Sequence, residues 1–379
     1  MNAKIRLSLI TVLTLTTLTL AHKKPWKGTP EAAADHLMVG FLPVTCHLTC
    51  PVTDFASKTT TTHTKFDSQR FTEFPTVVEA LKARKLDATF MLAPLAMVLR
   101  AQGVPVKIVY LGHRDGSTVI VPKNSTAQSL RDLKGKTFAR PSKYSNQYLV
   151  ITKLMEDQGM EPGDINFVDM PPPDMPSALA AGAIDAYFIG EPHAAKAELA
   201  GTGRVLYFAK DIWPRFISCV LVVREELINE RPDVVRDLVR GIAESGEWAE
   251  RNRLTAAKVA APYYRQDQKL LEYVLTQPPD RVSYRHLTPT DEDMEMIQKY
   301  ALKAGILQQP IDLSLLVDRR FIPKDIEPAK ITADAVAAPP PVTPTSEITK
   351  GKAAGSGAVP PATGSGSAAP ATGSASATP

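Results

Sequence analysis

One pattern of fourteen residues occurs twice in this chain, with the second copy 98 positions after the first. Leu81–Pro94 reads LKARKLDATFMLAP, and Leu179–Pro192 reads LAAGAIDAYFIGEP. Each copy has the pattern of a short helix, an acidic turn, a buried apolar strand and a loop that contains proline. Ligands bind outside the carboxyl ends of strands in an open α/β sheet, so two such strand ends predict two lobes that face one cleft. The alternative is a chance match between two ordinary helix–turn–strand units. The identical pairs are Leu81/Leu179, Ala83/Ala181, Asp87/Asp185, Ala88/Ala186, Phe90/Phe188 and Pro94/Pro192.

The first residues of the chain have the order of a secretory signal peptide. Lys4 and Arg6 supply positive charge, Leu7–Ala21 carries no charge, and Thr19–Ala21 offers a small-residue cleavage site. The apolar stretch is shorter than the roughly 20 residues of a bilayer-spanning helix. Residues 1–21 therefore predict a secreted or periplasmic protein. The alternative is an uncleaved segment that holds the protein at the membrane.

Composition sets the limits on the rest of the chain. Residues 333–379 are mostly Ala, Pro, Gly, Ser and Thr, and so small an apolar content predicts a disordered tail. The chain has 379 residues and is 44% hydrophobic, which is enough for two domains with their own cores. The net charge is +4, and basic residues are scattered among acidic ones, so no nucleic-acid partner is expected.

Strand patterns alternate with helical patterns through the body of the chain. Phe216–Val223 (FISCVLVV) is apolar without interruption, which is typical of a strand covered on both faces. Asn146–Asp157, Asp233–Asn252 and Asp291–Ala304 have helical patterns. The alternation predicts an α/β fold with mostly parallel sheets. The sequence has no G-x-S-x-G elbow, Walker loop, dinucleotide fingerprint or H-E-x-x-H motif, which argues against an enzyme.

Several stretches together resemble the substrate-binding proteins of nitrate, sulfonate and taurine ABC importers, the NMT1/THI5-like group. The matching stretches are GFLPVT, EALKARKLDATFMLAPLAM, GSTVIVPKNSTAQSLRDLKGKTFARP and IDAYFIGEP, and the resemblance covers Leu37–Leu307. SLRDLKGK before a strand, followed further along by IGEP, is its most specific part.

The resemblance implies a periplasmic-binding-protein type II fold, with two α/β lobes, a central ligand cleft and two crossover strands. Mapped onto this chain, lobe 1 is residues 36–118 plus 217–325, and lobe 2 is residues 122–213. The crossovers then fall near Val119–Val121 and Ile212–Ser218.

The loop Thr45–Pro51 (TCHLTCP) holds two of the three cysteines. The resemblance implies that this loop approaches the ligand through Thr45 and Cys46, although the cysteine pair departs from the family pattern. Three interpretations remain open. An exported chain favours a Cys46–Cys50 disulfide. Cys46, His47 and Cys50 also have the chemistry of a soft-metal site. Alternatively, the thiols are unpaired and only shape the pocket. We predict the disulfide, because the C-x3-C spacing is uncommon for zinc.

The stretch SKYSNQ lies between a strand end and a helix start. Ser145 or Asn146 can cap that helix, and a helix N-terminus also attracts anions. The resemblance implies that this turn faces the ligand; ordinary capping is the alternative and is compatible with it. The predicted ligand contacts here are Ser142, Tyr144, Ser145, Asn146 and Gln147.

Both strands of the repeat end in loops that contain proline. After the first strand, the resemblance implies that Ala93 and Pro94 line the mouth of the cleft; the alternative is an ordinary helix start. After the second strand, Glu191 can accept hydrogen bonds from a ligand or orient His193. His193 can donate to an anion, unless it is an exposed helix residue.

Residues around the second crossover complete the predicted site. Arg215 is a predicted partner for a carboxylate or sulfonate, and Trp213 can reach the cleft. Cys219, in the apolar run, has the pattern of a small buried hydrophobe.

The resemblance implies an exported solute-binding component of an ABC importer, not an enzyme. It would bind a small anionic or heteroaromatic ligand by hinge closure, as a monomer without a cofactor, and its partner would be the membrane permease. Two alternatives are a pyrimidine-precursor synthase of the same fold and a metal-binding or sensor protein.

Overall fold

The computed structural model describes residues 36–49 and 61–331, and these form two β-sheets covered by helices. The predicted signal peptide, Cys50 and the predicted disordered tail lie outside the described residues. The strands are β1 His36–Phe41, β2 Lys65–Arg70, β3 Ala88–Met91, β4 Val106–Asp115, β5 Ser117–Pro122, β6 Thr137–Arg140, β7 Asn166–Asp169, β8 Ala186–Gly190, β9 Gly203–Phe208, β10 Ile217–Arg224 and β11 Val282–Ser283.

Helices follow most of these strands. The α-helices are α1 Phe74–Lys82, α2 Ala93–Ala101, α3 Asn146–Asp157, α4 Met175–Ala180, α5 His193–Leu199, α6 Ala209–Ile212, α7 Glu225–Glu230, α8 Pro232–Arg251, α9 Arg253–Tyr264, α10 Gln268–Thr276, α11 Asp291–Lys303 and α12 Leu313–Leu316. Short 3-10 helices span Thr45–His47, Leu130–Leu133, Pro162–Asp164 and Pro172–Asp174. Across 36–49 and 61–331, every helix is too short or too polar to pass through a bilayer.

Local sequence explains where the main helices start. Proline opens α8, where a missing N–H costs nothing, and Asp233 in its first turn complements the helix dipole. The Ser145 hydroxyl caps α3 by accepting from the Tyr148 amide. At α11, Thr290 and Asp293 form a reciprocal capping box.

The first sheet has six strands in the order β11-β4-β10-β3-β1-β2, and the second has five in the order β7-β6-β8-β5-β9. The expectation of mostly parallel sheets is wrong. β1 pairs in parallel with β2 and β3, and β6 with β7 and β8, but every pairing of β5, β10 or β11 is antiparallel. The physical reason is that β5 and β10 are the strands by which the chain enters a new sheet. Each of these two strands begins at the carboxyl ends of the parallel strands beside it, so it is antiparallel to them.

The chain changes sheet at two places. It leaves β4 and enters β5 at Gly116, whose φ of +66° suits glycine. It returns between α6 and β10, through residues 213–216. The first passage differs from the expected crossover, because Val119–Val121 lie inside the second sheet, paired with β8 and β9. The boundaries of the two lobes stay a prediction.

Each sheet has its own buried apolar core. The core of the first sheet includes β1, β3, β4 and β10 together with α8 and α9. The second sheet has one cluster on each face, one around Phe138 and Phe188 and the other around Ile120 and Tyr187. The continuous apolar run in β10 is fully covered, as its sequence predicts, since Val220–Val223 are completely buried.

Candidate ligand-binding site

The carboxyl ends of β1 and β8 meet where the two sheets face each other. The backbone amide of Thr45, just after β1, donates to the carbonyl of Glu191, just after β8, at 2.7 Å. The Glu191 amide in turn donates to the Gly116 carbonyl, at the passage between the sheets, at 2.9 Å. Ligands of α/β proteins bind beyond the carboxyl ends of strands, so we take this junction as the candidate site.

The start of α3 borders the junction. Ser145 acts as the predicted cap, with its Oγ accepting from the Tyr148 amide at 3.1 Å. The Ser142 hydroxyl accepts from the Tyr144 amide at 3.1 Å, which holds the turn before the helix. Lys143 Nζ lies 5.0 Å from the centre of the Tyr144 ring. This turn is therefore ordered by its own side chains.

Two buried amides follow the cap. Asn146 Nδ2 donates to the carbonyls of Ile217 and Ser218 at 2.6 and 3.2 Å. Because carbonyls only accept, these two contacts fix which end of the amide is nitrogen. Gln147 Nε2 donates to Ser117 Oγ at 3.1 Å. Both amides thus bridge α3 to strands at which the chain changes sheet.

The oxygen atoms of these amides have no partner within the described part of the chain. Asn146 Oδ1 and Gln147 Oε1 are buried without a hydrogen bond there. A buried polar atom left unpaired costs about 1–3 kcal/mol. The two oxygens are therefore suited to accept hydrogen bonds from a ligand that carries N–H or O–H groups.

His193 is a third buried polar group with unmet hydrogen bonds. It starts α5, is 1% exposed, and neither ring nitrogen is hydrogen-bonded to another residue of 36–49 or 61–331. Burial, aided by Lys196, lowers the pKa of His193 to about 4; the Pro43 carbonyl partly offsets this without reaching hydrogen-bond geometry. A neutral imidazole offers one donor and one acceptor at neutral pH.

Glu191 is buried, and its carboxylate is already engaged. Oε1 accepts from Thr118 Oγ1 and Oε2 from the Ala195 amide, both at 2.9 Å. Burial raises the pKa of Glu191, while Arg281 and the two hydrogen bonds oppose that rise. The contact with a ligand predicted for Glu191 would therefore compete with these bonds, and it stays a prediction.

Arg281 completes this network, and the sequence gives no signal for it. Its Nε lies 3.2 Å from Glu191 Oε1, within ion-pair distance although not aligned as a hydrogen bond, and Nη2 donates to Glu198 at 3.0 Å. The Tyr273 hydroxyl also donates to Glu198, at 2.7 Å. The guanidinium lies 5.2 Å from the centres of the Phe208 and Tyr273 rings. The network joins the segment before β11 to the end of β8.

A second cluster lies behind the loop that follows β1. Cys46 Sγ lies 2.9 Å from Cys219 Sγ, and His47 Nε2 lies 3.2 Å from Cys219 Sγ. The Leu42 amide donates to His47 Nδ1 at 2.6 Å. All three side chains of the cluster are buried and could together face one metal ion. Cys219, which the sequence analysis treats as a small buried hydrophobe, is thus the residue that Cys46 contacts. Cys50, the predicted disulfide partner of Cys46, lies outside the described residues.

The two thiols differ in acidity. Burial opposes ionisation of Cys46, but the Cys219 hydrogen bond and the neighbouring His47 hold the pKa of Cys46 well below its usual value. Burial and that same hydrogen bond hold the pKa of Cys219 well above its usual value. If the pair ionises, the negative charge therefore belongs on Cys46.

A small pocket opens beside Asn146. Arg215 lies on it with its side chain 58% exposed, and its guanidinium is 4.0 Å from Asp293. Arg114, which is buried, holds Asp293 more closely, at 2.8 Å. The lining residues are Asn146, Leu149, Trp213, Arg215, Phe216, Ile217, Asp293 and Ile297. This pocket brings Asn146, Trp213 and Arg215 together, and their role as ligand contacts stays a prediction.

The other predicted site residues lie at the edges of the junction. Ala93 and Pro94 begin α2 and are buried, and Tyr144 packs against the core of the first sheet. Thr45 Oγ1 is hydrogen-bonded to His113 Nε2 at 2.9 Å, a buried partner that the sequence analysis missed. The assignment of these residues as ligand contacts stays a prediction.

Comparison with protein families gives one match that covers most of the chain. A model of the NMT1-like family matches residues 30–262. The nitrate import ATP-binding protein NrtC of Synechocystis is 29% identical over 195 residues, which are 47% of this chain and 29% of that protein. The taurine-binding periplasmic protein of Escherichia coli is 27% identical over 173 residues, which are 45% of this chain and 53% of that protein. In both, the match spans less than two thirds of the relative.

Solved structures share the fold, among them two binding proteins. The ligand-binding component of an ABC-type import system from Staphylococcus aureus, solved with zinc bound, superposes with a TM-score of 0.70 at 24% identity, over 79% of this chain and 100% of that one. The alkanesulfonate-binding protein SsuA from Xanthomonas axonopodis, bound to MOPS, gives a TM-score of 0.65 at 20% identity, over 76% and 100%. The α/β fold expected from the sequence is confirmed.

Proposed function

This chain belongs to the NMT1-like family, and from that premise we propose that it is the exported ligand-binding component of an ABC importer. The family resemblance read from the sequence is thereby confirmed. Relatives named for taurine and alkanesulfonate binding support the same role. The periplasmic location of such relatives supports export of this chain. Retention at the membrane by an uncleaved segment is a separate prediction, since residues 1–35 are not among those described.

The observation that carries the proposal is the unpaired oxygen of Asn146. It is buried beside the passage between the sheets, and its amide orientation is fixed by two carbonyls. A ligand held there contacts both sheets, so binding stabilises the closed arrangement over an open one. The membrane permease would recognise that closed arrangement, with the binding protein acting as a monomer.

The same oxygen limits the class of ligand. Asn146 Oδ1 accepts only, so the ligand must bring at least one N–H or O–H donor. The N-terminus of α3 favours an anionic group nearby. A small zwitterion with an amino group and a sulfonate or carboxylate meets both requirements, as does an anionic heteroaromatic ring with an N–H. Bare nitrate lacks the donor and fits less well.

The ligand would be bound without conversion. No catalytic motif marks the sequence, and the named taurine- and alkanesulfonate-binding relatives are binding proteins. The buried polar groups of the junction either hold neighbouring elements together or, like Asn146 Oδ1 and the His193 ring, have hydrogen-bonding capacity to spare, an arrangement suited to selective binding.

Native mass spectrometry of protein purified from its own host tests this function, followed by calorimetric titration with taurine, an alkanesulfonate and nitrate. We expect one small molecule bound per chain, and tighter binding of the amino sulfonate than of nitrate. Recovery of unchanged ligand after incubation supports binding without turnover. A product that accumulates with time would overturn the proposal.

A further inference from the structure

Cys46 and Cys219 are far apart in sequence and in contact in space. They are separated by 173 positions in the chain, and their sulfur atoms lie 2.9 Å apart. Cys46 belongs to the 3-10 helix after β1, and Cys219 to β10 of the same sheet. Each is 2% exposed. In the structure both are free thiols in hydrogen-bond contact, close enough for oxidation to join them.

The imidazole next to this pair argues against a metal. Nδ1 of His47 accepts from the Leu42 amide, so in the neutral ring the proton is on Nε2, the atom that faces Cys219. A metal-bound histidine instead donates through its second nitrogen. Two thiolates on a tetrahedral zinc, with bonds of about 2.3 Å, would also lie roughly 3.7 Å apart. The observed sulfur separation of 2.9 Å is shorter than that, so the two sulfurs lie closer together than two ligands of one zinc ion.

We propose that Cys46 and Cys219 are joined by a disulfide in the exported protein. Each thiol loses one proton, and the pair of electrons passes to a disulfide-bearing oxidant of the export compartment, which leaves as a dithiol. One cysteine first attacks the oxidant to give a mixed disulfide, which the other cysteine resolves. Because both sulfurs are buried, this exchange precedes the final packing of the loop against β10.

Such a bond would hold the candidate site in place. Thr45, next to Cys46, reaches across to the Glu191 carbonyl. The bond would fix the loop that carries Thr45 to β10, one of the two strands on which the chain changes sheet. It would also close a long loop of chain, which restricts the unfolded state strongly.

The test is a peptide map of the exported protein, alkylated and digested without reductant. The proposal uses the periplasmic location from the proposed function, but the map reads the bond directly, whether or not a ligand binds. We expect a peptide pair linked through Cys46 and Cys219, with Cys50 as the one alkylated thiol. A Cys46–Cys50 link with Cys219 alkylated would overturn the proposal, as would three alkylated thiols with stoichiometric metal in the native sample.

Variants supply a second measurement. Cys219→Ser should lower the melting temperature, on the order of 5 °C or more, and reductant should lower that of the wild type in the same way. Cys50→Ser should keep the linked peptide and the wild-type response to reductant. If Cys50→Ser abolishes the response to reductant and Cys219→Ser does not, the proposed pairing is wrong.

Discussion

Arg281 and Glu191 form an ion pair that is sealed inside the protein. Nε of Arg281 lies 3.2 Å from Oε1 of Glu191, and the side chains are 1% and 0% exposed. Arg281 precedes β11 of the first sheet, and Glu191 follows β8 of the second. The pair therefore links the two sheets at the candidate site, where Thr45 makes a backbone bond to the same Glu191.

Arg281→Met should destabilise the protein by about 3–5 kcal/mol, because it leaves a buried carboxylate without its counter-ion. Chemical denaturation of the variant and wild type measures this difference. Arg251→Met is the matched control, since Arg251 pairs with Glu247 at a site where its own side chain is 58% exposed. An exposed pair contributes at most about 1 kcal/mol, so equal losses in the two variants would contradict a special role for Arg281.

The buried histidines His113 and His193 should make stability fall as the pH drops from about 6.5 to about 4, while Asp115, whose pKa burial raises to about 6, acts in the opposite direction. Burial lowers the pKa of both His113 and His193 to about 4 from an ordinary 6.5, so the unfolded chain binds these protons at a higher pH than the folded one. Unfolding then takes up protons in this window, and the free energy of unfolding decreases as the medium becomes more acidic. Denaturation curves across this window test the slope.

Variants separate the contribution of one histidine from the rest. His193→Gln should make the decline between pH 6.5 and pH 4 shallower, because one buried imidazole no longer titrates. His286→Gln, which replaces an exposed histidine, is the matched control variant. A His193→Gln slope equal to that of wild type would show that His193 is not the group that takes up the proton.

Asn146→Leu should weaken ligand binding by about tenfold to a hundredfold, because it removes a buried, unpaired amide oxygen whose position is fixed by the two carbonyls that Nδ2 donates to. Calorimetric titration with the ligand that co-purifies measures the change, and the melting temperature shows whether the variant is folded. Asn124→Leu, an exposed position after β5, is the control. A folded Asn146→Leu protein with unchanged affinity would move the site away from this amide.

Gly112→Ala should destabilise the loop after β1. A Cβ at Gly112 would lie 2.2 Å from the backbone oxygen of Cys46, so either the loop or β4 must move, at a cost of about 1–3 kcal/mol. Gly163→Ala is the control, because no atom lies within 4 Å of its added carbon. Thermal unfolding measures both variants, and a Gly112→Ala protein as stable as the Gly163→Ala protein would contradict this packing.

Local pattern was enough to place most elements. The helix predicted over Asn146–Asp157 is found at those bounds, and the run Phe216–Val223 corresponds to β10 at Ile217–Arg224. Capping residues and unbroken apolar runs influence only the few residues beside them in the sequence, so their effect on secondary structure can be predicted from the sequence alone. Strand β9 (Gly203–Phe208) and helix α10 (Gln268–Thr276) were missed. Their sequences mix polar and apolar residues, so contacts with neighbouring elements determine their secondary structure.

The sequence by itself determined the alternation of strands and helices, the repeated helix–strand–loop pattern at Leu81–Pro94 and Leu179–Pro192, and the family. Only the tertiary structure decided that β10 runs antiparallel, that Cys46 lies beside Cys219, and that Arg281 lies beside Glu191. Hydrophobic periodicity reports which face of an element is buried, whereas a contact between residues far apart in the chain depends on how whole elements pack. Such a contact cannot be predicted from a local pattern, because its stabilising energy depends on both contacting residues, and they lie in different parts of the sequence.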